Sequence, residues 1–268
     1  MTGSLRTSLA IAVVYPDLLG TYGDGGNGLI LARRASWRGI TADLIQARSG
    51  QPLPTADIYC IGGGEDGPGV RSAEALRKDG ALDRAVDRGA VVFGVCAGYQ
   101  ILGQSFPDSA DRPHVGLGLL DVTTAKGPGS RAVGELVATP TVDAPRTATG
   151  EPLPDLTGFE NHSALTTVGH QARSVATVVR GVGNGGGDRT EGAWNGRVFG
   201  TYLHGPALAR NTALADVLLG WAVSTTGDTA MLDPLDDHEE LALRSERLGA
   251  VEDSTANRFF RRLNGTRA

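Results

Sequence analysis

A strand pattern changes into a helix pattern at a single cysteine between residues 90 and 103. Gly94 precedes Cys96 by two positions, and Ala97 and Gly98 follow it directly. A sharp strand-to-helix turn holds its central residue in a strained conformation and leaves room only for small neighbours. The first N–H groups of the following helix have no partner in the helix, and with the helix dipole they stabilise a thiolate. We therefore predict a nucleophile elbow with Cys96 as the reactive group.

Alternating strand-like and helix-like runs predict the fold class. Such alternation is typical of an α/β protein with a mostly parallel sheet and helices on both faces. The strand patterns cover 9–15, 40–45, 57–64, 90–95 and 197–205, and the helix patterns cover 26–38 and 73–89. Open sheets of this class bind ligands at the carboxyl ends of their strands, so we expect the functional site there.

The length of 268 residues favours one main domain at 1–235, followed by a tail at 236–268. A stretch rich in Pro, Thr and Asp at 140–155 and a glycine-rich stretch at 181–187 predict loops within this domain. The tail is charged and periodic, which predicts one or two surface helices packed on the same domain. The phenylalanine pair at 259–260 is expected to dock them.

Composition excludes several classes of protein. A net charge of -5 and no basic stripe argue against nucleic-acid binding. Two cysteines, no long apolar run and no leader pattern predict a cytoplasmic protein without a transmembrane segment. Cys60 and Cys96 are not at chelating spacing, and Cys60 lies in a strand pattern as a small buried apolar residue, so no metal site is expected.

A cysteine nucleophile needs a base, and the chain has five histidines. His204 is preferred because it ends an apolar strand pattern and is followed directly by Gly205 and Pro206, which places it at the sheet edge of the elbow. His162 is the alternative. The three remaining histidines lie in loop-like or charged contexts and are expected at the surface: His114, His170 and His238.

The third strand pattern runs into a glycine loop at 62–64. Glycines allow close backbone approach, so N–H groups of residues 62–67 are candidates for an oxyanion hole. The alternative reading is a simple tight turn.

These motifs together resemble one enzyme family. The elbow at 94–100, the glycine loop at 62–64 and the strand at 200–206 are similar to class I glutamine amidotransferases of the branch that includes the glutaminase domain of cobyric acid synthase. Segments 15–27 and 158–163 further resemble the glutaminase subunits of lipid II isoglutaminyl synthase. The resemblance implies a flavodoxin-like domain that hydrolyses L-glutamine.

The resemblance implies roles for the two candidate catalytic residues. Cys96 would attack the side-chain amide of glutamine and form a glutamyl thioester. His204 would protonate the departing ammonia and then activate water. Arg131 matches the arginine that holds the substrate carboxylate, for which a planar guanidinium is well suited. The further glutamine contacts that the resemblance implies are Gly63, Gly64, Gln100, Asn161, His162 and Ser163.

The resemblance also implies where the ammonia goes. A Mur-ligase-like partner subunit, MurT, would form a heterodimer with the chain and amidate D-glutamate in the peptidoglycan stem peptide of lipid II. The chain lacks a Gly-x-x-x-x-Gly-Lys-Ser/Thr phosphate loop, so it is expected to hold no cofactor, with ATP and Mg on the partner. Its lipid-linked substrate would place the pair at the inner face of the membrane.

The chain departs from the family pattern at two places. Many class I enzymes carry a glutamate two residues after the histidine, where this chain has Pro206. The orienting carboxylate is then dispensable, comes from elsewhere in the chain, or comes from the partner. Glu65 and Asp66 stand where related glutaminases often carry a glutamine, which leaves substrate contacts there open.

Other functions fit parts of the pattern. A glutaminase could serve a cobyrinate-type or other carboxylate acceptor. A cysteine peptidase or hydrolase of the same superfamily would share the elbow and the histidine but lack a carboxylate clamp. A non-catalytic binding module would lack the cysteine and histidine pair, and a ligase scaffold would carry a buried, inert thiol.

Overall fold

The computed structural model describes residues 5–127, 129–226 and 228–249. The chain forms two compact units, Met1–Asp233 and Pro234–Ala268. The second unit contains a helix over residues 238–249. Its packing on the main domain stays a prediction, and the expected docking pair at 259–260 lies outside the described residues.

The first unit contains fourteen strands within the described part of the chain. They are β1 Ser8–Val14, β2 Thr41–Ala47, β3 Ile58–Ile61, β4 Val91–Val95, β5 Ser105–Pro107, β6 Pro113–Val115, β7 Val122–Lys126, β8 Ala132–Pro140, β9 Leu156–His162, β10 Ala164–Val168, β11 Ala176–Arg180, β12 Thr190–Glu191, β13 Ala193–Asn195 and β14 Val198–Thr201. The helices of this unit are α1 Gly26–Ser36, α2 Asp66–Asp79, α3 Ala81–Asp87, α4 Ala97–Leu102, α5 Ala207–Arg210 and α6 Thr212–Val223.

A six-stranded sheet in the order β13-β14-β4-β3-β1-β2 forms the centre of this unit. Neighbouring strands run parallel except β13, which pairs antiparallel with β14. Every residue of β3, β4 and β14 is buried, which requires cover on both faces. One group of helices contains α1, α5 and α6, and α2 packs with α4, which lies against β4. The predicted α/β class with a mostly parallel sheet is confirmed.

The helix predicted over 73–89 differs from the structure. α2 begins at Asp66, and Gly80 ends it in the left-handed conformation, φ +62°, before α3 starts. Glycine and proline residues in the first turn of α2 read as a turn in the sequence, which hid the beginning of this helix.

Two further four-stranded sheets occur among the described residues, in the orders β10-β7-β5-β6 and β12-β11-β8-β9. Their pairs are antiparallel apart from a single parallel bridge between β5 and β7. The alternation of strands and helices did not predict them. The loops expected at 140–155 and 181–187 connect strands of the second of these sheets, β8 to β9 and β11 to β12.

A backbone bridge joins one added sheet to the end of the central sheet. Phe159 of β9 exchanges two hydrogen bonds with His204, N–H to O distances of 3.1 and 2.8 Å. β9 therefore lies beside the carboxyl edge where the site was expected. In the described residues, no helix has the length and apolar character needed to cross a membrane.

Candidate active site

Cys96 lies at a strained turn between β4 and α4. Its φ of +51° and ψ of -106° are unusual for a residue with a side chain, as the elbow pattern predicted. Small neighbours are needed because a Cβ on Gly94 would lie 2.6 Å from Leu102, and one on Gly98 would overlap the carbonyl oxygen of Ile61. The turn directs Cys96 into a cavity.

His204 follows β14 and is oriented by a carboxylate of the same chain. Its Nδ1 lies 2.8 Å from Oδ2 of Asp24, and both side chains are about 1% exposed or less. Asp24 lies in the loop between β1 and α1, at the same sheet edge. Asp24 thus places a carboxylate against His204, where many class I enzymes use a glutamate at the position of Pro206.

Sequence analysis did not assign a role to Asp24. It lay within the segment 15–27, which was quoted for the family resemblance alone. The available signal was an acidic residue in a glycine-rich loop after β1, since this loop begins at a carboxyl end of the parallel sheet.

The electrostatics of His204 result from opposing effects. Burial lowers its pKa, but the hydrogen bond with Asp24 and the interaction with Cys96 outweigh burial and raise the pKa to about 10. Nε2 of His204 is buried and has no hydrogen-bond partner among the described residues. A protonated imidazole beside the cysteine stabilises a thiolate.

Gly63 lies inside the cluster of Cys96, His204 and Asp24. A Cβ at this position would lie 2.7 Å from Cε1 of His204, 3.0 Å from Oδ2 of Asp24 and 3.5 Å from Cβ of Cys96. Its N–H donates to Oδ2 of Asp24 at 2.9 Å, so this N–H is not free for an oxyanion. Within the described chain, no hydrogen bond occupies the N–H groups of Gly64 and Ala97, which line the cavity with Cys96.

A cavity of about 250 Å³ opens beside Cys96. It brings together six of the residues expected to contact substrate, while Gly63 lies outside its lining. The six are Gly64, Gln100, Arg131, Asn161, His162 and Ser163. Charged residues of both signs also line the cavity: the acidic residues are Glu65, Asp66 and Asp108, and the basic residues are Lys126 and Arg131.

Arg131 is held at the cavity by Asn161. β8 pairs antiparallel with β9, with Ala132 opposite His162 and Val133 opposite Asn161, so Arg131, which precedes Ala132, lies diagonally across from Asn161. Nε of Arg131 donates to Oδ1 of Asn161, and Nη2 donates to the Asn161 carbonyl oxygen at 3.1 Å. Nη1 makes no hydrogen bond in the described part of the chain and is available to a ligand.

His162 is almost fully buried and stacks on Tyr202, with ring centroids 3.9 Å apart. Its Nε2 lies 3.5 Å from Oε2 of Glu160, and neither ring nitrogen has a hydrogen-bond partner among the described residues. Gln100 donates from Nε2 to the hydroxyl of Tyr202 at 3.3 Å. Tyr202 therefore supports two of the residues that line the cavity, a role that sequence analysis did not identify.

The remaining histidines are not among the residues that line this cavity. His170 and His238 are exposed, and His114 lies 3.1 Å from Asp108. Cys60 is buried in β3, which raises the pKa of its thiol to about 12. Among the described residues, no group of three or more His, Cys, Asp or Glu side chains is arranged to hold a metal ion.

Comparison with known families gives a match over most of the chain. The pattern of the CobB/CobQ-like glutamine amidotransferase domain matches residues 10–212. The chain is 32% identical to lipid II isoglutaminyl synthase (glutamine-hydrolyzing) subunit GatD of Streptococcus pneumoniae, over 80% of each chain. It is 31% identical to GatD of Staphylococcus aureus, over 84% of this chain and 88% of that one. Identity to cobyric acid synthase of Pelotomaculum thermopropionicum is 36%, over 65% of this chain and 34% of that one.

Solved structures share the fold. PurLQS from Thermotoga maritima superposes with a TM-score of 0.55 at 21% identity, covering 82% of this chain and 96% of that chain. The crystal structure of a glutamine amidotransferase superposes with a TM-score of 0.54 at 20% identity, covering 79% of this chain and 98% of that chain.

Proposed function

The chain belongs to the family of CobB/CobQ-like glutamine amidotransferase domains, and we propose that it is the glutaminase subunit of a lipid II isoglutaminyl synthase. The observation that carries the glutaminase activity is the cluster of Cys96, His204 and Asp24 beside a cavity that contains Arg131. The GatD relatives support lipid II as the acceptor, because this chain matches 80% and 88% of their length, against 34% of the cobyric acid synthase.

The substrate is L-glutamine. Its α-carboxylate binds Nη1 of Arg131, which Asn161 holds in place, because a guanidinium forms charge-assisted hydrogen bonds with carboxylates. Lys126 adds a second positive charge to the same cavity. The side-chain amide then points towards Cys96.

The first half of the reaction forms a thioester. Sγ of Cys96 attacks the amide carbon, and the oxyanion of the tetrahedral intermediate accepts hydrogen bonds from the N–H groups of Gly64 and Ala97. Nε2 of His204 gives its proton to the leaving nitrogen, so that ammonia departs and a glutamyl thioester remains. Asp24 accepts a hydrogen bond from Nδ1 throughout and thereby keeps the ring oriented.

The second half releases glutamate. Neutral His204 takes a proton from water, and the hydroxide attacks the thioester carbon. The carbon–sulfur bond breaks, and the Cys96 thiolate leaves beside a reprotonated imidazole. One glutamine and one water thus give one glutamate and one ammonia.

The ammonia passes to a Mur-ligase-like partner, MurT, which uses ATP and Mg to activate D-glutamate in the stem peptide of lipid II. This division of labour agrees with the absence of a phosphate-loop motif from the chain sequence. The pair works at the cytoplasmic face of the membrane, where its lipid-linked acceptor is anchored.

The decisive experiment measures ammonia and glutamate release from L-glutamine by the chain, alone and with the partner, ATP and lipid II. Release that disappears in Cys96→Ser, together with amidated lipid II only in the complete mixture, supports both parts of the proposal. A cobyrinate-type carboxylate acceptor forms a parallel arm, and its amidation in place of lipid II would change the acceptor. No consumption of glutamine in any mixture would refute the glutaminase.

Labelling distinguishes an enzyme from a scaffold. The glutamine analogue diazo-oxo-norleucine should alkylate Cys96, detected by mass spectrometry, and L-glutamine should protect it. An unreactive thiol would favour a scaffold. A peptidase or other hydrolase of the same superfamily would be little affected by Arg131→Ala, whereas the glutaminase should lose affinity for glutamine.

A further inference from the structure

Tyr22 lies at the tip of the loop between β1 and α1 and contacts both sides of the site. Its ring meets the ring of His204 edge-on, with centroids 4.9 Å apart and an interplanar angle of 63°. Its hydroxyl oxygen accepts a hydrogen bond from Nδ2 of Asn161. The side chain is nevertheless 42% exposed, so burial in the core does not explain its position.

The hydrogen-bond chain continues from Asn161 to the substrate clamp. Arg131 donates to both the side-chain and the main-chain oxygen of Asn161. The amide of Asn161 therefore uses its oxygen for Arg131 and its nitrogen for Tyr22. A continuous series of contacts runs from the guanidinium to the catalytic imidazole through Tyr22.

The backbone holds Tyr22 at this place. Its φ is +62°, an unfavourable value for a residue with a side chain, and Gly23 follows at φ +75°. The loop is fixed on both sides of this tip by Gly63, whose carbonyl accepts the N–H of Thr21 at 3.2 Å and whose N–H donates to Asp24 at 2.9 Å. The same loop thus presents both the carboxylate that orients His204 and the ring that packs against it.

We propose that Tyr22 is a positioning residue that couples the carboxylate clamp, Arg131 and Asn161, to the catalytic His204. The inference rests on the proposed glutaminase activity and adds a coupling between its two parts. When the glutamine carboxylate binds Arg131, it fixes Asn161, and Asn161 in turn fixes Tyr22 against the ring of His204. Binding of the correct end of the substrate thereby stabilises the proton-transferring group.

Two substitutions separate the two contacts of Tyr22. Tyr22→Phe loses the hydrogen bond to Asn161, so KM for L-glutamine should rise about fivefold; kcat should fall by only about twofold, because the ring still packs against His204. Tyr22→Leu loses both contacts, so kcat should also fall, by about five- to tenfold. A residue with a merely structural role would not divide KM and kcat between these two variants.

A double-mutant cycle tests the connection to the clamp. Asn161→Ala should raise KM, and Tyr22→Phe should add little to that increase, because the two variants break the same connection. Trp37→Phe, at an exposed aromatic residue after α1, is the matched control and should leave KM and kcat unchanged. Thermal unfolding midpoints verify that each variant is folded.

A second readout avoids glutamine. Iodoacetamide lacks a carboxylate, so its rate of Cys96 alkylation should be the same in Tyr22→Phe and the wild-type chain. An unchanged KM in Tyr22→Phe, or fully additive effects in the cycle, would overturn the coupling while leaving the glutaminase intact. Failure of the wild-type chain with its partner to hydrolyse glutamine would overturn both.

Discussion

Oδ2 of Asp24 lies 2.8 Å from Nδ1 of His204, although the two residues are 180 positions apart in the chain. The carboxylate comes from the loop after β1 and the imidazole from the end of β14. Because Pro206 replaces the usual glutamate, the sequence left the source of the orienting carboxylate open. The structure shows a candidate within the chain itself.

Removal of this carboxylate should impair catalysis more than stability. We expect Asp24→Asn to lower kcat for glutamine hydrolysis about 100-fold or more, because the amide no longer holds the imidazole in the productive tautomer. Asp17→Asn, at an exposed residue of the same loop that is bonded to Ser49, is the control and should retain activity. Near wild-type activity of Asp24→Asn would show that His204 needs no orienting carboxylate.

The titration of His204 should reveal the same contact. NMR of the imidazole is expected to give a midpoint near pH 10 in the wild-type chain and a lower one in Asp24→Asn. Since the folded pKa exceeds the unfolded value of about 6.5, protonated His204 stabilises the fold fully below pH about 6.5. This contribution should be lost as pH rises from there to about 10, as urea unfolding at several pH values would show. A midpoint near 6.5 in the wild-type chain would contradict the interaction.

A methyl group at Gly63 should displace the catalytic groups. In Gly63→Ala the Cβ would lie 2.7 Å from His204, which must shift away from its position beside Cys96. We expect kcat to fall about 100-fold, since a misplacement of about 1 Å at reacting groups has effects of this size. Gly67→Ala is the matched control, because a Cβ there meets nothing within 4 Å. Equal activities of the two variants would argue against close packing around Gly63.

Arg131 should affect the affinity for glutamine more strongly than turnover. Arg131→Ala is expected to raise KM for glutamine about 10- to 100-fold, the effect of losing hydrogen bonds from a charged group. Arg131→Lys keeps the charge but loses the planar fork, so its KM should be intermediate. Arg77→Ala, at an exposed residue of α2, serves as the control. Steady-state kinetics decide the matter, and an unchanged KM in Arg131→Ala would exclude Arg131 from the clamp.

The central sheet could be predicted because its signals are local. Buried strands such as β3 and β4 are continuous apolar runs, and the small residues next to Cys96 indicate the elbow. The two added sheets were missed because several of their strands are short, with three residues in β5 and β6 and two in β12. Pairing with distant partners, not local pattern, stabilises such strands.

The candidate site, like the fold, could be predicted only in part. The sequence motifs identified Cys96 and His204, and the family resemblance added Arg131, which the structure places at the cavity with Cys96. The resemblance assigned Gly63 to the substrate, but its N–H faces Asp24. The direction of one N–H group depends on the loop that packs against it, which is encoded some forty residues earlier in the chain.

The sequence by itself determined the fold class, the strained turn at Cys96 and the placement of His204 at a strand end, because each depends on neighbouring residues and hydrophobic periodicity. Only the tertiary structure decided that Asp24 lies against His204, that a side chain at Gly63 would collide with both, and that contacts of Tyr22 and Asn161 connect this cluster to Arg131. These contacts join loops from distant parts of the chain, and their partners are chosen by how the parallel strands are ordered in the sheet. Strand order is a property of the packed core, which no local pattern records.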